Sequence, residues 1–209
     1  MKVVLYGATG RAGSRILKEL RARGHRVVAV VRDPKALQPQ EGVEIAQDDL
    51  SDVSNTAEVM KSADAVISAY APPQDNTDEL IAVTQRLIEA VKRSGVPRFL
   101  MVGGAGALQV APGVSLIDSG HLPPEWLPIA RSHSKALEQL RSSDIAWTYV
   151  APAAFFDPGA RTGKFRLGSD DLITDENGQS RISMEDYAIA MVDELEASRH
   201  VRKRLAVGY

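Results

Sequence analysis

The chain contains no cysteine among its 209 residues, which excludes a disulfide framework and a thiolate nucleophile and leaves the fold to rest on packing alone. Aromatic residues are scarce, at 5%, so aromatic positions carry information where they occur. No apolar run approaches the roughly 20 residues that cross a bilayer. Neither sign of charge dominates: the formal net charge is −2 and both signs are spread along the chain, without the electrostatic footprint expected of a nucleic-acid or anionic-membrane surface. The basic run Arg199 to Arg204 is read as a solvated turn before a final strand rather than a nucleic-acid patch. Four scattered histidines, His25, His121, His133 and His200, have no metal-ligand spacing, and no metal is expected. The start Met1-Lys2-Val3-Val4-Leu5 enters an apolar strand without a signal-peptide pattern, and a cytoplasmic setting is expected.

What is present fits a globular domain. Hydrophobic residues make up 44% and charged residues 25%, and the length favours one core. Short β-branched runs alternate with amphipathic stretches, the pattern of parallel strands joined by helical crossovers. Strands are expected at 3–6, 26–31, 43–46, 65–68, 98–102, 145–150 and 204–208. Helices are expected at 11–23, 56–61, 78–93, 130–141 and from Ser183 onward, where Ser183 and Asp186 form a capping-box pattern. Residues 107–128 are proline- and glycine-rich and aperiodic, and are read as a substrate-side loop. Residues 172–182 read as a hairpin turning at Asn177-Gly178. The chain divides nowhere, so 1–209 is expected to be a single α/β domain with substrate-side elements from about 104–128 and 152–182.

The segment Gly7-Ala8-Thr9-Gly10-Arg11-Ala12-Gly13 lies between the first strand and the first helix. A diphosphate there would meet backbone N–H groups and the positive end of the helix. Gly7 suits a tight turn, Gly10 a close approach to phosphate, and Gly13 close packing of helix on sheet. The second strand ends in Val31-Arg32-Asp33-Pro34. A guanidinium there pairs with a 2′-phosphate, so Arg32, joined by Arg11, favours NADP(H), with NAD(H) possible. Asp33 either serves a ribose hydroxyl or pairs with Arg32. In Asp48-Asp49-Leu50, one carboxylate is a candidate for the adenine amino group and Leu50 for its ring, against the alternative of a plain acidic turn.

Together GATGRAG, VRDP, DDL, a glycine-rich exit after the fifth strand, and Lys135 ahead of a strand ending in Pro152 make the chain resemble the atypical short-chain dehydrogenase/reductase superfamily. Within it the chain is similar to small NAD(P)H-binding proteins of the NADH-flavin reductase type, related to biliverdin IX-beta reductases and nitrogen-metabolite-repression regulators. The resemblance covers nearly the whole chain. It implies a Rossmann-type, doubly wound, mostly parallel sheet with helices on both faces. It also implies that Ala69, Tyr70 and Ala71 line the middle of the cofactor, and that the nicotinamide lies near Gly103, Gly104 and Lys135. The tyrosine that precedes the lysine by four residues in typical members is replaced by Arg131, and the companion serine is not evident, so no catalytic residue is assigned. His133, the histidine nearest that end, is read as a surface residue rather than a proton donor.

The expected activity is hydride transfer from NAD(P)H to a small molecule such as a flavin, quinone or similar conjugated acceptor. Such acceptors need face-to-face placement more than a dedicated acid. Trp126, Phe155 and Phe156 are candidate apolar walls for the acceptor, core packing being the alternative for Phe155. A non-catalytic NADP(H)-binding redox sensor and an isomerase or epimerase that retains its cofactor are the alternative functions.

Overall fold

The computed structural model describes residues 1–209. The strands are β1 (Lys2–Tyr6), β2 (Arg26–Val31), β3 (Val43–Gln47), β4 (Ala65–Ser68), β5 (Phe99–Val102), β6 (Gln109–Ala111), β7 (Val114–Ser115), β8 (Trp147–Pro152), β9 (Phe155–Asp157), β10 (Arg166–Gly168), β11 (Arg181–Ser183) and β12 (Lys203–Gly208). The helices are α1 (Arg11–Ala22), α2 (Val53–Met60), α3 (Glu79–Ser94), α4 (Leu127–Arg141) and α5 (Met184–Ala197). The main sheet runs β10-β12-β8-β5-β4-β1-β2-β3. All its pairings are parallel except that of β10 with β12.

The strands are apolar almost throughout because both faces are covered. Side chains alternate across a strand, so Val4, Tyr6, Val28, Val30 and Val66 enter one core, with Met60 of α2, Leu87 of α3 and Leu137 of α4. Val3, Leu5, Val27, Ala29 and Ile67 enter the other, with Leu20 of α1 and Met191 of α5. The register keeps these sets level: Leu5 lies opposite both Ala29 and Ile67. This is the doubly wound α/β arrangement expected from the sequence.

Several boundaries differ from expectation for local reasons. Helix α2 starts at Val53 rather than Thr56 because the Asp52 carboxylate accepts from the amides of Ser54 and Asn55. Helix α4 starts at Leu127, with Pro128 tolerated in its first turn, instead of at Ala130. The expected loop 107–128 contains the hairpin β6–β7 and a short 3₁₀ turn at Pro124–Trp126. The expected hairpin at 172–182 is not formed. The Asn177-Gly178 turn exists, closed by the Asp175 carboxylate accepting from the amides of Asn177 and Gln179. Its C-terminal flank, β11, pairs instead in parallel with β9 as a separate two-stranded sheet. Helix α5 is capped as expected, the Ser183 hydroxyl accepting from the Asp186 amide.

Candidate functional site

From β1 at the centre the chain builds outward through β2 and β3, then returns to place β4 on the other side of β1. Such a reversal opens a crevice beyond the carboxyl ends of the strands, where ligands bind in this architecture. A cleft of about 430 Å³ lies there. Its lining comes from four strand ends: Tyr6, Gly7, Thr9 and Gly10 after β1; Val30, Val31 and Arg32 at β2; Asp48, Asp49 and Leu50 after β3; and Ala69 to Pro73 after β4.

Two glycines of the loop are required by backbone contacts. Gly7 has φ of 74°, and a Cβ there would stand 2.3 Å from the Ala69 carbonyl oxygen. At Gly13 a Cβ would stand 2.0 Å from the Gly7 carbonyl oxygen, so α1 rides directly on the turn. Gly10 is the N-cap of α1 and supplies no side-chain cap, and the first turn holds no carboxylate. The positive end of the helix and the adjoining amides, including those of Arg11, Ala12 and Gly13, are therefore left for an outside anion.

At the β2 end Arg32 is exposed, and its carbonyl accepts from the Gln47 side chain at 2.9 Å. The Asp33 carboxylate accepts from the Lys35 amide at 3.0 Å, capping the turn Pro34–Ala36. Asp33 does not pair with Arg32, which is left without a carboxylate partner. Asp48 is buried and accepts from the Tyr6 hydroxyl at 3.1 Å, the Thr56 hydroxyl at 2.8 Å, the Asn55 side chain at 3.0 Å and the Leu50 amide at 3.2 Å. It is a post holding β1, β3 and α2 together, and burial, then Asp48, pushes the Tyr6 hydroxyl far up.

The exposed Asp49 is thus the carboxylate of this turn that faces solvent. It accepts from the Ser51 amide at 2.9 Å, and hydrogen bonding from Ser51 holds it below the usual carboxylate range. Leu50, at φ of 64°, turns into the cleft wall. Arg86 of α3 was not singled out by the sequence. Its buried Nε lacks a hydrogen-bond partner, and its charge acts on Asp49 and Tyr70. Tyr6, Pro72 and Pro73 were likewise not anticipated as lining residues.

At the β5 end, the Gly103 amide donates to the Val150 carbonyl at 2.8 Å and the Gly104 amide to the Tyr149 hydroxyl at 2.8 Å. A Cβ on Gly103 would stand 2.3 Å from the Tyr149 ring, and one on Gly104 would stand 3.1 Å from His133. His133 is therefore not the surface residue expected: it packs on Gly104, with Nδ1 3.4 Å from the Tyr149 hydroxyl. Burial pushes its imidazole down to about 4, so it is neutral near pH 7. Burial also pushes the Tyr149 hydroxyl up. Pro152 ends β8, buried opposite Val207.

Three expected placements do not hold. Lys135 is not beside Gly103 and Gly104. Two residues along a helix turn the side chain by about 200°, so with His133 facing inward Lys135 is exposed, in the groove between α3 and α4 with Gln85, Lys92 and Glu138. Arg11 does not form a clamp with Arg32; its guanidinium meets Asp157 of β9 at 2.7 Å. Phe156 is half-buried against the core, its ring 4.7 Å from that of Tyr187. Phe155 is not core: it is 56% exposed and meets the half-exposed Trp126 edge to face at 6.1 Å.

No helix is long and apolar enough to cross a membrane. The Bacillus subtilis protein YwnB is 42% identical, over 99% of this chain and 98% of its own. Among solved structures, a Bacteroides thetaiotaomicron protein described as a "putative epimerase" is 46% identical with a TM-score of 0.94, covering 100% of this chain and 96% of that one. The Streptococcus pneumoniae protein described as a "putative NADH-flavin reductase" is 33% identical with a TM-score of 0.90, covering 100% of this chain and 99% of that one. At 16% identity, a Veillonella parvula short-chain dehydrogenase/reductase in complex with NADP has the same Rossmann fold, with a TM-score of 0.79 over 100% of this chain and 94% of that one. The NAD(P)H-binding family matches residues 7–197, most of the chain and the whole of the glycine loop, and the chain belongs to that family.

Proposed function

We propose that the protein is an NAD(P)H-dependent reductase that passes hydride to a flavin, quinone or similar conjugated small molecule. The observation that carries this reading is the lack of a ready proton donor at the carboxyl end of β5. Arg131, four residues before Lys135, is exposed on the same outward face of α4 and supplies no hydroxyl, His133 is held neutral, and the Tyr149 hydroxyl is buried and bound to the Gly104 amide. A carbonyl alkoxide needs a proton from the enzyme. A reduced flavin or quinone delocalises its charge and takes a proton from water, so alignment of donor and acceptor rings becomes the main contribution, worth at its limit about 7 to 11 kcal/mol. The solvent-facing pair Trp126 and Phe155 supports the reading as an apolar wall for such a ring. The relative described as an NADH-flavin reductase agrees with it.

In this reading the diphosphate of the cofactor lies on the amides of Gly7 to Gly13 and the adenosine lies between Arg32, Asp49 and Leu50. Ala69 to Ala71 flank the middle, and the nicotinamide reaches Gly103, Gly104 and Pro152. NADP(H) is preferred because Arg32 has no competing carboxylate. The setting is cytoplasmic. The test is to mix NADPH with a panel of flavins and quinones and follow the nicotinamide absorbance. Sustained oxidation supports the reductase; tight binding without turnover supports a redox sensor. The neighbour described as a "putative epimerase" favours a second reading, an isomerase that keeps its cofactor, in which nicotinamide co-purifies and is not consumed.

A further inference from the structure

A second groove, of about 640 Å³, opens where β9, β11 and residues 158–164 meet, and Phe155, Lys164, Arg181 and Tyr209 stand on its wall. It starts at Phe155, three residues past Pro152, the last residue of β8. Its charges are unevenly committed. Asp157 on the wall is tied to Arg11 at 2.7 Å. Asp186, behind the wall, accepts from the Thr162 hydroxyl, the amides of Thr162 and Gly163 and the Tyr209 hydroxyl. These carboxylates are occupied. Lys164 has no ion-pair partner, and the nearest carboxylate to Arg181 is Asp175 at 3.8 Å, too long for a strong hydrogen-bonded pair. The Arg181 guanidinium lies 5.9 Å from the centre of the Tyr209 ring. One groove thus offers an exposed aromatic side chain at one end, an unpaired cation in Lys164 and a weakly paired one in Arg181.

We propose that this groove takes the anionic tail of the acceptor, so that the substrate class is a phosphate-bearing planar molecule, flavin mononucleotide rather than riboflavin. The proposal rests on the reductase reading for the identity of the ring, while its charge preference stands on the groove alone. The ring lies against Phe155 and the phosphate is met by Lys164 and Arg181. Two partly exposed charge-assisted contacts to one phosphate give roughly a tenfold preference over the uncharged analogue.

The experiment is equilibrium binding of flavin mononucleotide and of riboflavin, followed by quenching of flavin fluorescence. It uses the full chain with NADP present, in the wild type and in Lys164→Gln/Arg181→Gln. The expected result is about tenfold tighter binding of flavin mononucleotide by the wild type, falling to about twofold or less in the double variant, with riboflavin binding unchanged. Raising the salt concentration on the wild type erodes the same preference, and this arm decides the matter if the variant does not fold. Equal binding of the two flavins by the wild type, binding of neither, or a preference untouched by salt and by the double substitution overturns the proposal. Turnover kept with no phosphate preference sinks the groove and leaves the reductase; a phosphate preference without turnover sinks the reductase and leaves the groove.

Discussion

At the scale of single residues, the glycine loop separates two kinds of glycine. A Cβ on Gly13 collides with the backbone of Gly7, whereas Gly24, although at φ of 77°, has nothing within 4 Å of a Cβ. Gly24→Ala therefore carries only the strain of a left-handed alanine, about 1 kcal/mol. Gly13→Ala must push α1 off the turn, which costs more, up to about 3 kcal/mol, and spoils the phosphate site. Thermal unfolding with and without NADPH checks this: the Gly13 variant should lose more stability and should lose the ligand-induced shift, while the Gly24 variant keeps it. Arg32→Ala should weaken NADPH by about tenfold or more, corresponding to a charge-assisted contact of at least 1.4 kcal/mol, and leave NADH almost unchanged. Equal losses in a paired titration would contradict the 2′-phosphate role. The Gly7, Gly10 and Arg32 placements were legible because each follows from a local strand-to-turn context. Lys135 was not, because a motif match does not say which face of a helix packs inward, and His133 claims that face.

At the scale of elements, Tyr149 of β8 joins the exits of two neighbouring strands by accepting from the Gly104 amide. Tyr149→Phe strands that amide at a cost of about 1 to 3 kcal/mol and loosens the turn after β5. Hydrogen exchange should rise at Gly104 while the distant β2–β3 ladder stays protected. Beside it, His133 links stability to pH. Its folded value near 4 lies below the ordinary 6.5, so the native state favours the neutral ring. Its contribution is full above pH 6.5 and is lost as pH falls toward 4. Allowing for its partial exposure, this amounts to about 2 kcal/mol. Denaturant titrations at pH 7 and pH 5 should show a smaller pH loss in His133→Asn than in the wild type; identical losses would contradict the assignment.

The long elements were readable because each carries its own period. Strand β2 is an unbroken apolar run from Val27 on, and α3 sets Leu80, Val83, Leu87 and Val91 inward. The three-residue strands β9, β10 and β11 carry no such period. They exist because distant partners meet them: Phe156 lies opposite Ile182, and Leu167 opposite Val207. The turn at Asn177-Gly178 was visible as chemistry, but which strand its flank would join was decided by that tertiary pairing. The start of α4 was displaced for a simpler reason, since Pro128 reads as a breaker unless it falls in the first turn.

At the scale of the whole molecule, the arrangement puts its polar demands at one end. Strands sealed between two apolar cores release their chain ends at the carboxyl edge, where β1 and β4 part. The glycine turn, Arg32, Asp49 and the Ala69 to Ala71 segment converge there although they are separated in sequence by as many as 64 positions. The Phe155 groove lies on the same chain just beyond β8 and is tied back to the glycine loop by the exposed Arg11–Asp157 pair. Such a pair contributes at most about 1 kcal/mol, so Asp157→Asn should scarcely change the melting temperature. The most direct measurement is a crystal structure of the protein grown with NADPH. The expected map has the diphosphate on the amides of residues 7–13 and the 2′-phosphate at Arg32. Nucleotide density placed elsewhere, or an empty cleft with its turn unchanged at saturating NADPH, would contradict the account.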